Sequence, residues 1–320
     1  MKNFLVVGLL VLAFSTAACA QQADEVEKTT FLYAVKGADS LRLDRYAVQD
    51  GGRDKPCMVF VFGGGFVSGE RDNARYIPYF RYWAERGYVV VSIDYRLGLR
   101  KLVHGGQQPS PAGFVMALGR TVAMAVEDLY DATGYVLDHA GVWGVDPGMV
   151  VTCGSSAGAV TVLQAEYELC NATPLAGRLP EGFRYAGVIS FAGAVLGAGD
   201  SLQWGAKPAP IQLFHGDADS NVPYYSLTES GAGLFGSKYI AGQLARMESP
   251  YYFYSVINAA HEISGDPMDQ NREEIGIFLD RMVRRREPLM IDTQVRVVGR
   301  PDVKKEFTLM DYVRTNFGPR

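Results

Sequence analysis

Short apolar runs alternate along the chain with longer stretches in which apolar residues recur every three or four positions. Two early runs, at about 30–36 and at 41–48 (LRLDRYAV), are predicted as antiparallel strands near one edge of a sheet. The next two, CMVFVF at 57–62 and YVVVSI at 88–93, are apolar almost throughout, which is typical of parallel strands covered on both faces. Further strands are predicted at 149–153, 186–191, 211–214 and 251–256, and helices at about 74–86, 120–140, 156–169, 237–247 and 270–286. This alternation predicts an α/β domain with a mostly parallel sheet.

Two segments lack such a pattern. The connection at 94–119 contains several glycines and prolines, which predicts a loop that lines a site. Residues 288–320 are mixed in composition, and no role follows from their sequence.

Composition and charge narrow the class of protein. The 320 residues are 48% hydrophobic and 21% charged, with a formal net charge of −4, which is typical of a soluble globular protein. The charges are spread out and form no basic stripe, so nucleic acid is not expected as a partner.

The first twenty residues differ from the rest. Lys2 precedes an apolar stretch at 4–14, and small residues lead up to Ala18-Cys19-Ala20. This order predicts a secretory signal peptide cleaved after Ala20, and the apolar stretch is too short to span a membrane. The protein is therefore expected in the periplasm or outside the cell. Processing as a lipoprotein through Cys19 is the alternative.

The remaining cysteines are Cys57, Cys153 and Cys170. Three cysteines do not make a disulfide framework, and their spacing does not fit a metal site. Export would permit one disulfide, and buried free thiols are the other possibility.

The chemistry is most visible in VVTCGSSAGAV at 150–160, where a predicted strand runs directly into a predicted helix. A Gly-x-Ser-x-Gly sequence at such a junction predicts a nucleophile elbow, in which a strained serine backbone lifts the hydroxyl off the sheet. The flanking glycines are needed because a Cβ there would collide with neighbouring backbone. Gly154 and Gly158 have this spacing around Ser156, not Ser155. The amide of Ala157, at the start of the helix, would be free to bind an oxyanion.

A second glycine cluster follows the strand at 57–62. Gly63, Gly64 and Gly65 precede Phe66, and consecutive glycines let a loop turn its amides towards an approaching carbonyl oxygen. A merely flexible turn is the simpler explanation. It does not account for the position of the cluster, at the end of the strand expected beside the elbow strand.

Together these motifs resemble the α/β-hydrolase family, specifically the carboxylesterases with a His-Gly-Gly-Gly oxyanion loop, such as the hormone-sensitive-lipase-like esterases. The resemblance covers about residues 30–287 and includes SIDYRLG at 92–98 and GVDPGMVVTCGSSAGA at 144–159. It implies a mostly parallel eight-stranded sheet flanked by helices, with antiparallel N-terminal strands and a small cap or none. It also implies that Gly64, Gly65 and Ala157 donate the oxyanion-hole amides. Phe62 departs from the pattern, because it stands where these esterases carry the loop histidine.

The serine needs a base, and the base needs an anion that holds its tautomer. In α/β-hydrolases these partners follow the serine in the order acid, then histidine. His215 begins HGDADSNV, which resembles the family pattern in which the histidine is structural and the aspartate four residues on is the acid. This resemblance selects Asp219 over its neighbour Asp217. His261 lies after the last predicted strand, in the position that the general base requires.

The sequence thus divides into a signal peptide at 1–20, an α/β-hydrolase catalytic domain at 21–287 and a C-terminal extension at 288–320. The expected protein is a serine esterase that needs no cofactor or metal and hydrolyses short-chain or aromatic carboxylic esters. Acetyl or feruloyl groups on polysaccharides are candidate substrates, and the oligomeric state does not follow from the sequence. Two alternatives stay open: a serine peptidase or amidase on the same fold, and a catalytically silent binding protein.

Overall fold

The computed structural model describes residues 25–105, 110–229 and 231–317. The predicted signal peptide at 1–20, with Cys19, lies outside these ranges. The strands are β1 (Val26–Lys36), β2 (Asp39–Val48), β3 (Lys55–Val61), β4 (Val89–Ile93), β5 (Val145–Ser155), β6 (Gly187–Phe191), β7 (Ala194–Ala198), β8 (Ile211–Gly216), β9 (Ser226–Glu229), β10 (Ala232–Gly236), β11 (Tyr251–Ile257) and β12 (Met290–Arg296). The helices are α1 (Ile77–Ala84), α2 (Arg100–His104), α3 (Pro111–Asp138), α4 (Ala140–Trp143), α5 (Ala157–Cys170), α6 (Ser237–Arg246), α7 (Pro267–Gln270), α8 (Arg272–Ile277) and α9 (Leu309–Phe317), with shorter helical turns at Pro174–Arg178 and His261–Ser264 and a π-helical Phe278–Arg284.

Nine strands form the main sheet in the order β1-β2-β4-β3-β5-β6-β8-β11-β12. β1 pairs antiparallel with β2, and β2 with β4, whereas every other neighbouring pair is parallel. The fold class predicted from the sequence, a mostly parallel sheet flanked by helices with antiparallel N-terminal strands, is confirmed. A separate three-stranded sheet has the order β7-β10-β9.

The predicted count of eight strands is too low by one, because β12 lies in the segment at 288–320. β12 pairs in parallel with β11 over Met290–Arg296, and its residues alternate between exposed and half-buried. A polar edge strand of this kind buries little apolar surface, so its sequence lacks the continuous apolar run that marks the central strands.

The predicted loop at 94–119 is also wrong over part of its length. The structure forms α2 at Arg100–His104 and starts α3 at Pro111, nine residues before the predicted helix at 120–140. The Ser110 hydroxyl accepts a hydrogen bond from the Gly113 amide at 3.2 Å, and proline is favoured in the first turn of a helix. A serine followed by a proline therefore marked a helix start, which the glycine and proline content of the segment obscured.

The three cysteines of the described residues are free and buried, and burial raises the pKa of each thiol above its usual range. Among the described residues no cluster of His, Cys, Asp or Glu is arranged to hold a metal ion. No helix within the described ranges has both the length and the apolar character needed to cross a bilayer.

Glu166 on α5 is a buried carboxyl with few partners. Its Oε1 accepts hydrogen bonds from the Ala209 amide at 2.7 Å and from the Cys170 thiol at 3.6 Å, and Oε2 has no partner among the described residues. Burial raises the pKa of Glu166 from 4.5 to about 7, against the opposing effects of these hydrogen bonds and of the Arg184 charge. The charged form is therefore the unfavourable one in the folded protein.

We expect Glu166→Gln to stabilise the protein at alkaline pH. Between pH 4.5 and about 7 the folded state binds more protons at Glu166 than the unfolded state does, so the free energy of unfolding falls as the pH rises through this window. Glutamine removes that loss, which amounts to at most about 3 kcal/mol above pH 7. Urea unfolding at pH 5 and pH 8 measures it. An equal difference between variant and wild type at both pH values would contradict the assignment.

Candidate active site

The chain turns sharply where β5 ends and α5 begins. Ser156 at this junction has φ 53° and ψ −116°, a left-handed backbone conformation that side chains rarely adopt. A Cβ on Gly158 would overlap the carbonyl oxygens of Val61 and Phe62, and one on Gly154 would overlap the backbone of Gly158. The elbow therefore requires glycine at both positions, as the motif predicts.

We expect Gly158→Ala to lower the free energy of unfolding by about 3 kcal/mol or more, because backbone on the opposing strand end cannot easily move away. Gly134→Ala on α3 is the matched control, since a Cβ at Gly134 meets nothing within 4 Å. That change should be neutral or stabilise by up to about 1 kcal/mol. Thermal and urea unfolding of both variants measure the effects, and similar stabilities for the two would rule out the steric explanation.

Three side chains distant in sequence form one chain of hydrogen bonds. Ser156 Oγ lies 2.8 Å from His261 Nε2, and His261 Nδ1 lies 2.7 Å from Asp219 Oδ2. An ionised carboxylate only accepts, so Nδ1–H donates to Asp219, and Nε2 is left to accept from the serine hydroxyl. The imidazole side chain is 22% exposed while the Asp219 side chain is fully buried. The arrangement allows His261 Nε2 to accept the proton of the Ser156 hydroxyl.

Both carboxylate oxygens of Asp219 accept hydrogen bonds. Oδ1 accepts hydrogen bonds from the Asn221 amide at 2.7 Å and the Val222 amide at 3.0 Å. Burial alone would raise the pKa of Asp219, but the adjacent His261 and hydrogen bonds from His215 and His261 outweigh it and hold the pKa well below its usual range. Asp219 is therefore a fixed negative charge beside the ring.

His215 contacts the same carboxylate from the buried side. Its Nε2 lies 3.3 Å from Asp219 Oδ2 and 3.3 Å from the Val222 carbonyl oxygen, and its Nδ1 lies 2.8 Å from Ser237 Oγ. Both partners of Nε2 only accept, so Nε2 carries the proton and Nδ1 accepts from the serine. His215 supports Asp219 and makes no hydrogen bond to Ser156 within the described residues.

Asp217 and Ser155, the alternatives to Asp219 and Ser156, have other hydrogen-bond partners. Asp217 accepts from the Asn258 amide at 2.6 Å and pairs with Lys305 at 2.8 Å. The hydroxyl of Ser155 donates to the Ser264 carbonyl at 2.7 Å, which ties the end of β5 to the short helical turn that begins at His261. Neither Asp217 nor Ser155 is in the hydrogen-bond chain.

The glycine loop after β3 lies against the elbow. A Cβ on Gly63 would approach Ser156 Cβ to 3.1 Å. Gly64 and Gly65 have φ of 129° and 62°, and the Gly64 carbonyl accepts from the amides of Val67 and Ser68. Within the described part of the chain, the amides of Gly64, Gly65 and Ala157 donate to no protein acceptor. They are available to an oxyanion at Ser156.

Phe62 stands where the family pattern has a loop histidine, and its side chain packs against an aromatic ring. Its ring lies 4.5 Å from that of Tyr95, and the Tyr95 hydroxyl donates to the Phe62 carbonyl at 2.9 Å. The Tyr76 hydroxyl lies 3.4 Å from the Gly63 amide. Both tyrosines support the loop from the core, and sequence analysis missed them because their contacts are tertiary.

A small cavity of about 10 Å³ opens beside Ser156. Its walls come from the glycine loop, from α3 and α5, from the loop that follows Asp219, and from α9 in the C-terminal segment. Sequence analysis gave that segment no role.

Comparisons with known proteins agree with this architecture. Residues 13–165 match the carboxylesterase family model. Sequence relatives include a probable isoprenylcysteine alpha-carbonyl methylesterase from Oryza sativa subsp. japonica, 31% identical over 118 residues (37% of this chain, 23% of that protein). An acetylcholinesterase from Gallus gallus is 31% identical over 127 residues (39% and 15%). The match thus spans less than a quarter of the length of either relative.

A solved esterase from Thermogutta terrifontis, a Planctomycetes species, superimposes on the fold with propionate bound in that protein. The TM-score is 0.58 at 23% identity, over 82% of this chain and 96% of the other. The family model covers just under half of the chain, and the α/β-hydrolase fold of the solved esterase is the fold of this chain. The α/β-hydrolase fold inferred from the sequence motifs is confirmed, and the match over residues 13–165 supports the carboxylesterase resemblance.

Proposed function

We propose that the protein is a serine ester hydrolase that works through an acyl-enzyme on Ser156. The observation that carries the proposal is the unbroken hydrogen-bond chain from Ser156 through His261 to Asp219, at 2.8 and 2.7 Å, on a strained elbow. Such an arrangement activates a hydroxyl that is otherwise a weak nucleophile. The carboxylesterase family match supports the same reaction class.

In the proposed acylation step, Ser156 Oγ attacks the ester carbonyl carbon while His261 Nε2 takes the hydroxyl proton. The carbonyl oxygen becomes an oxyanion, which accepts hydrogen bonds from the amides of Gly64, Gly65 and Ala157. Removing one donor of this kind typically costs about 3 kcal/mol of transition-state stabilisation. His261 then gives its proton to the leaving oxygen as the carbon–oxygen bond breaks, which releases the alcohol.

Deacylation repeats the sequence with water. His261 takes a proton from water, whose oxygen attacks the acyl carbon, and returns it to Ser156 Oγ as the acid departs. Asp219 stays ionised throughout and stabilises the imidazolium formed in each half-reaction. The residues named here complete both steps without a cofactor.

We further propose esters with a short acyl group, acetyl above all. The cavity beside Ser156 is small, about 10 Å³, which favours a short acyl group over a long chain or an aromatic acid such as ferulate. A cavity of about 220 Å³ borders Asp219. Tyr224, Tyr225 and Phe307 line it, and a sugar could stack on their rings. Acetylated polysaccharide is therefore the preferred natural substrate in this proposal, and feruloyl esters are the weaker candidate.

Export through the predicted signal peptide is part of the proposal. Mass spectrometry of the protein from a cell envelope and from the medium would identify its N-terminus. A start at Gln21 supports cleavage after Ala20, and a lipid-modified Cys19 supports the lipoprotein alternative. An intact Met1 would contradict both.

A panel of substrates separates the ester hydrolase from its alternatives. The proposal predicts hydrolysis of p-nitrophenyl acetate and acetylated xylan, with weaker activity on feruloyl sugars and on matched anilides. Faster turnover of the anilide than of the ester would favour the amidase alternative. Rates equal to those of a Ser156→Ala variant on every substrate would favour the silent binding protein.

A further inference from the structure

The C-terminal segment at 297–317 crosses both loops that supply the catalytic partners of Ser156. At the histidine loop, Arg300 pairs with Glu262, the neighbour of His261, at 3.0 Å. The side-chain amide of Asn258 donates to Asp302 at 2.8 Å. The segment therefore reaches the base through residues on either side of it.

The same segment is attached to the loop that carries Asp219. Lys305 pairs with Asp217 at 2.8 Å, and the Thr315 hydroxyl donates to the Ser220 carbonyl. The side-chain amide of Asn316 donates to the Asn221 carbonyl at 2.9 Å. These contacts fix the position of α9 relative to the catalytic site.

α9 presents two residues to the cavity beside Ser156. Tyr312 and Asn316 lie in its wall together with Gly65, Phe66 and Ala157. Tyr312 is 7% exposed, and its ring meets those of Phe114 at 5.8 Å and Phe307 at 6.3 Å. The ring is thus held firmly where it limits the depth of the cavity.

The cavity is placed for the acyl part of an ester. The leaving oxygen must lie beside His261 Nε2 to receive its proton. No residue of the histidine loop lines this cavity, whereas Gly65 and Ala157, the proposed oxyanion donors, do. A substrate carbonyl bound by those amides, with its leaving oxygen at His261, would direct its acyl carbon chain towards Tyr312.

A second cavity of about 30 Å³ lies on the other side of this wall. It is lined mostly by apolar residues, and it shares Leu118, Leu234 and Tyr312 with the cavity beside Ser156. Removing the Tyr312 ring would join the two spaces into a longer apolar pocket. The surroundings are therefore already suited to a longer acyl chain, and the tyrosine excludes it.

We infer that Tyr312 on α9 is the specificity-determining residue that restricts the acyl group to about two carbons. The C-terminal segment holds the ring there through its contacts with both catalytic loops. The inference rests on the proposed ester hydrolase function and deepens it.

The test uses p-nitrophenyl acetate, butyrate and hexanoate, which differ only in the acyl chain. Wild type should prefer acetate strongly. Tyr312→Ala should raise the ratio of kcat/KM for hexanoate to that for acetate by at least about tenfold, because pocket size discriminates each methylene. Tyr312→Phe, which keeps the ring, should retain the wild-type ratio. Met310 on the same helix is 72% exposed, and Met310→Ala should also leave the ratio unchanged.

Tyr312→Leu decides the matter if the alanine variant fails to fold, because it fills part of the space and should raise the ratio less. A folded Tyr312→Ala or Tyr312→Leu with the wild-type ratio would overturn the inference. So would a variant whose preference changes only along a series of alkyl acetates, since the cavity would then hold the alcohol. Wild type inactive on every ester would instead refute the proposed function, so the two failures are distinguishable.

Discussion

Replacing Ser156 with alanine is expected to lower kcat for p-nitrophenyl acetate by at least about 10⁴-fold with little change in stability. The loss is large because the variant has no nucleophile, and the remaining members of the triad cannot act without it. The substitution removes only the hydroxyl group and leaves the close glycine contacts of the elbow intact. Stopped-flow and steady-state assays measure the rate, and circular dichroism checks the fold.

Ser155→Ala is the matched control for this experiment. Its hydroxyl binds the Ser264 carbonyl at 2.7 Å and lies outside the hydrogen-bond chain that contains His261. We expect a loss of less than about tenfold, caused by a looser connection between β5 and the histidine loop. A larger loss in Ser155→Ala than in Ser156→Ala would show that Ser156 is not the nucleophile.

Replacing Asp219 with asparagine is expected to lower kcat by about 10³- to 10⁴-fold. The asparagine side chain can present its amide to His261 Nδ1, which favours the tautomer whose Nε2 carries a proton and cannot accept one from Ser156. It also removes the negative charge that stabilises the imidazolium. Steady-state kinetics measure the loss in kcat.

Asp217→Asn distinguishes this role from a general effect of charge in the loop. Asp217 is two residues away and pairs with Lys305 at 2.8 Å, and within the described part of the chain it forms no hydrogen bond with His261 or Ser156. We expect its loss to stay below about tenfold. Equal effects of the two substitutions would mean that Asp219 does not orient the base.

The central part of the site was accessible from the sequence because its constraints are local. A strained serine needs small neighbours, so the spacing of Gly154 and Gly158 points to Ser156 without any knowledge of the fold. The choice of His261 followed from chain order and from its position after a strand. The choice of Asp219 over Asp217 depended on a family resemblance, since both lie in the same loop.

The parts that were missed depend on tertiary packing. β12 is a half-exposed edge strand with no apolar run, and its place in the sheet is set by pairing with β11. Tyr312 becomes part of the cavity wall only because distant contacts fix α9 over the catalytic loops. Phe62 stands where the family pattern has a histidine, and the sequence marks that departure but not the packing of Tyr95 on the Phe62 ring.

The role of Ser156 is tested most directly by covalent labelling. Incubation with paraoxon followed by peptide mass spectrometry should find one diethylphosphoryl group per chain, on the peptide that contains Ser155 and Ser156, with fragmentation placing it on Ser156. Loss of ester hydrolysis should parallel the labelling, and Ser156→Ala should stay unlabelled. A label on any other residue, or ester hydrolysis that continues while Ser156 is fully labelled, would contradict the account.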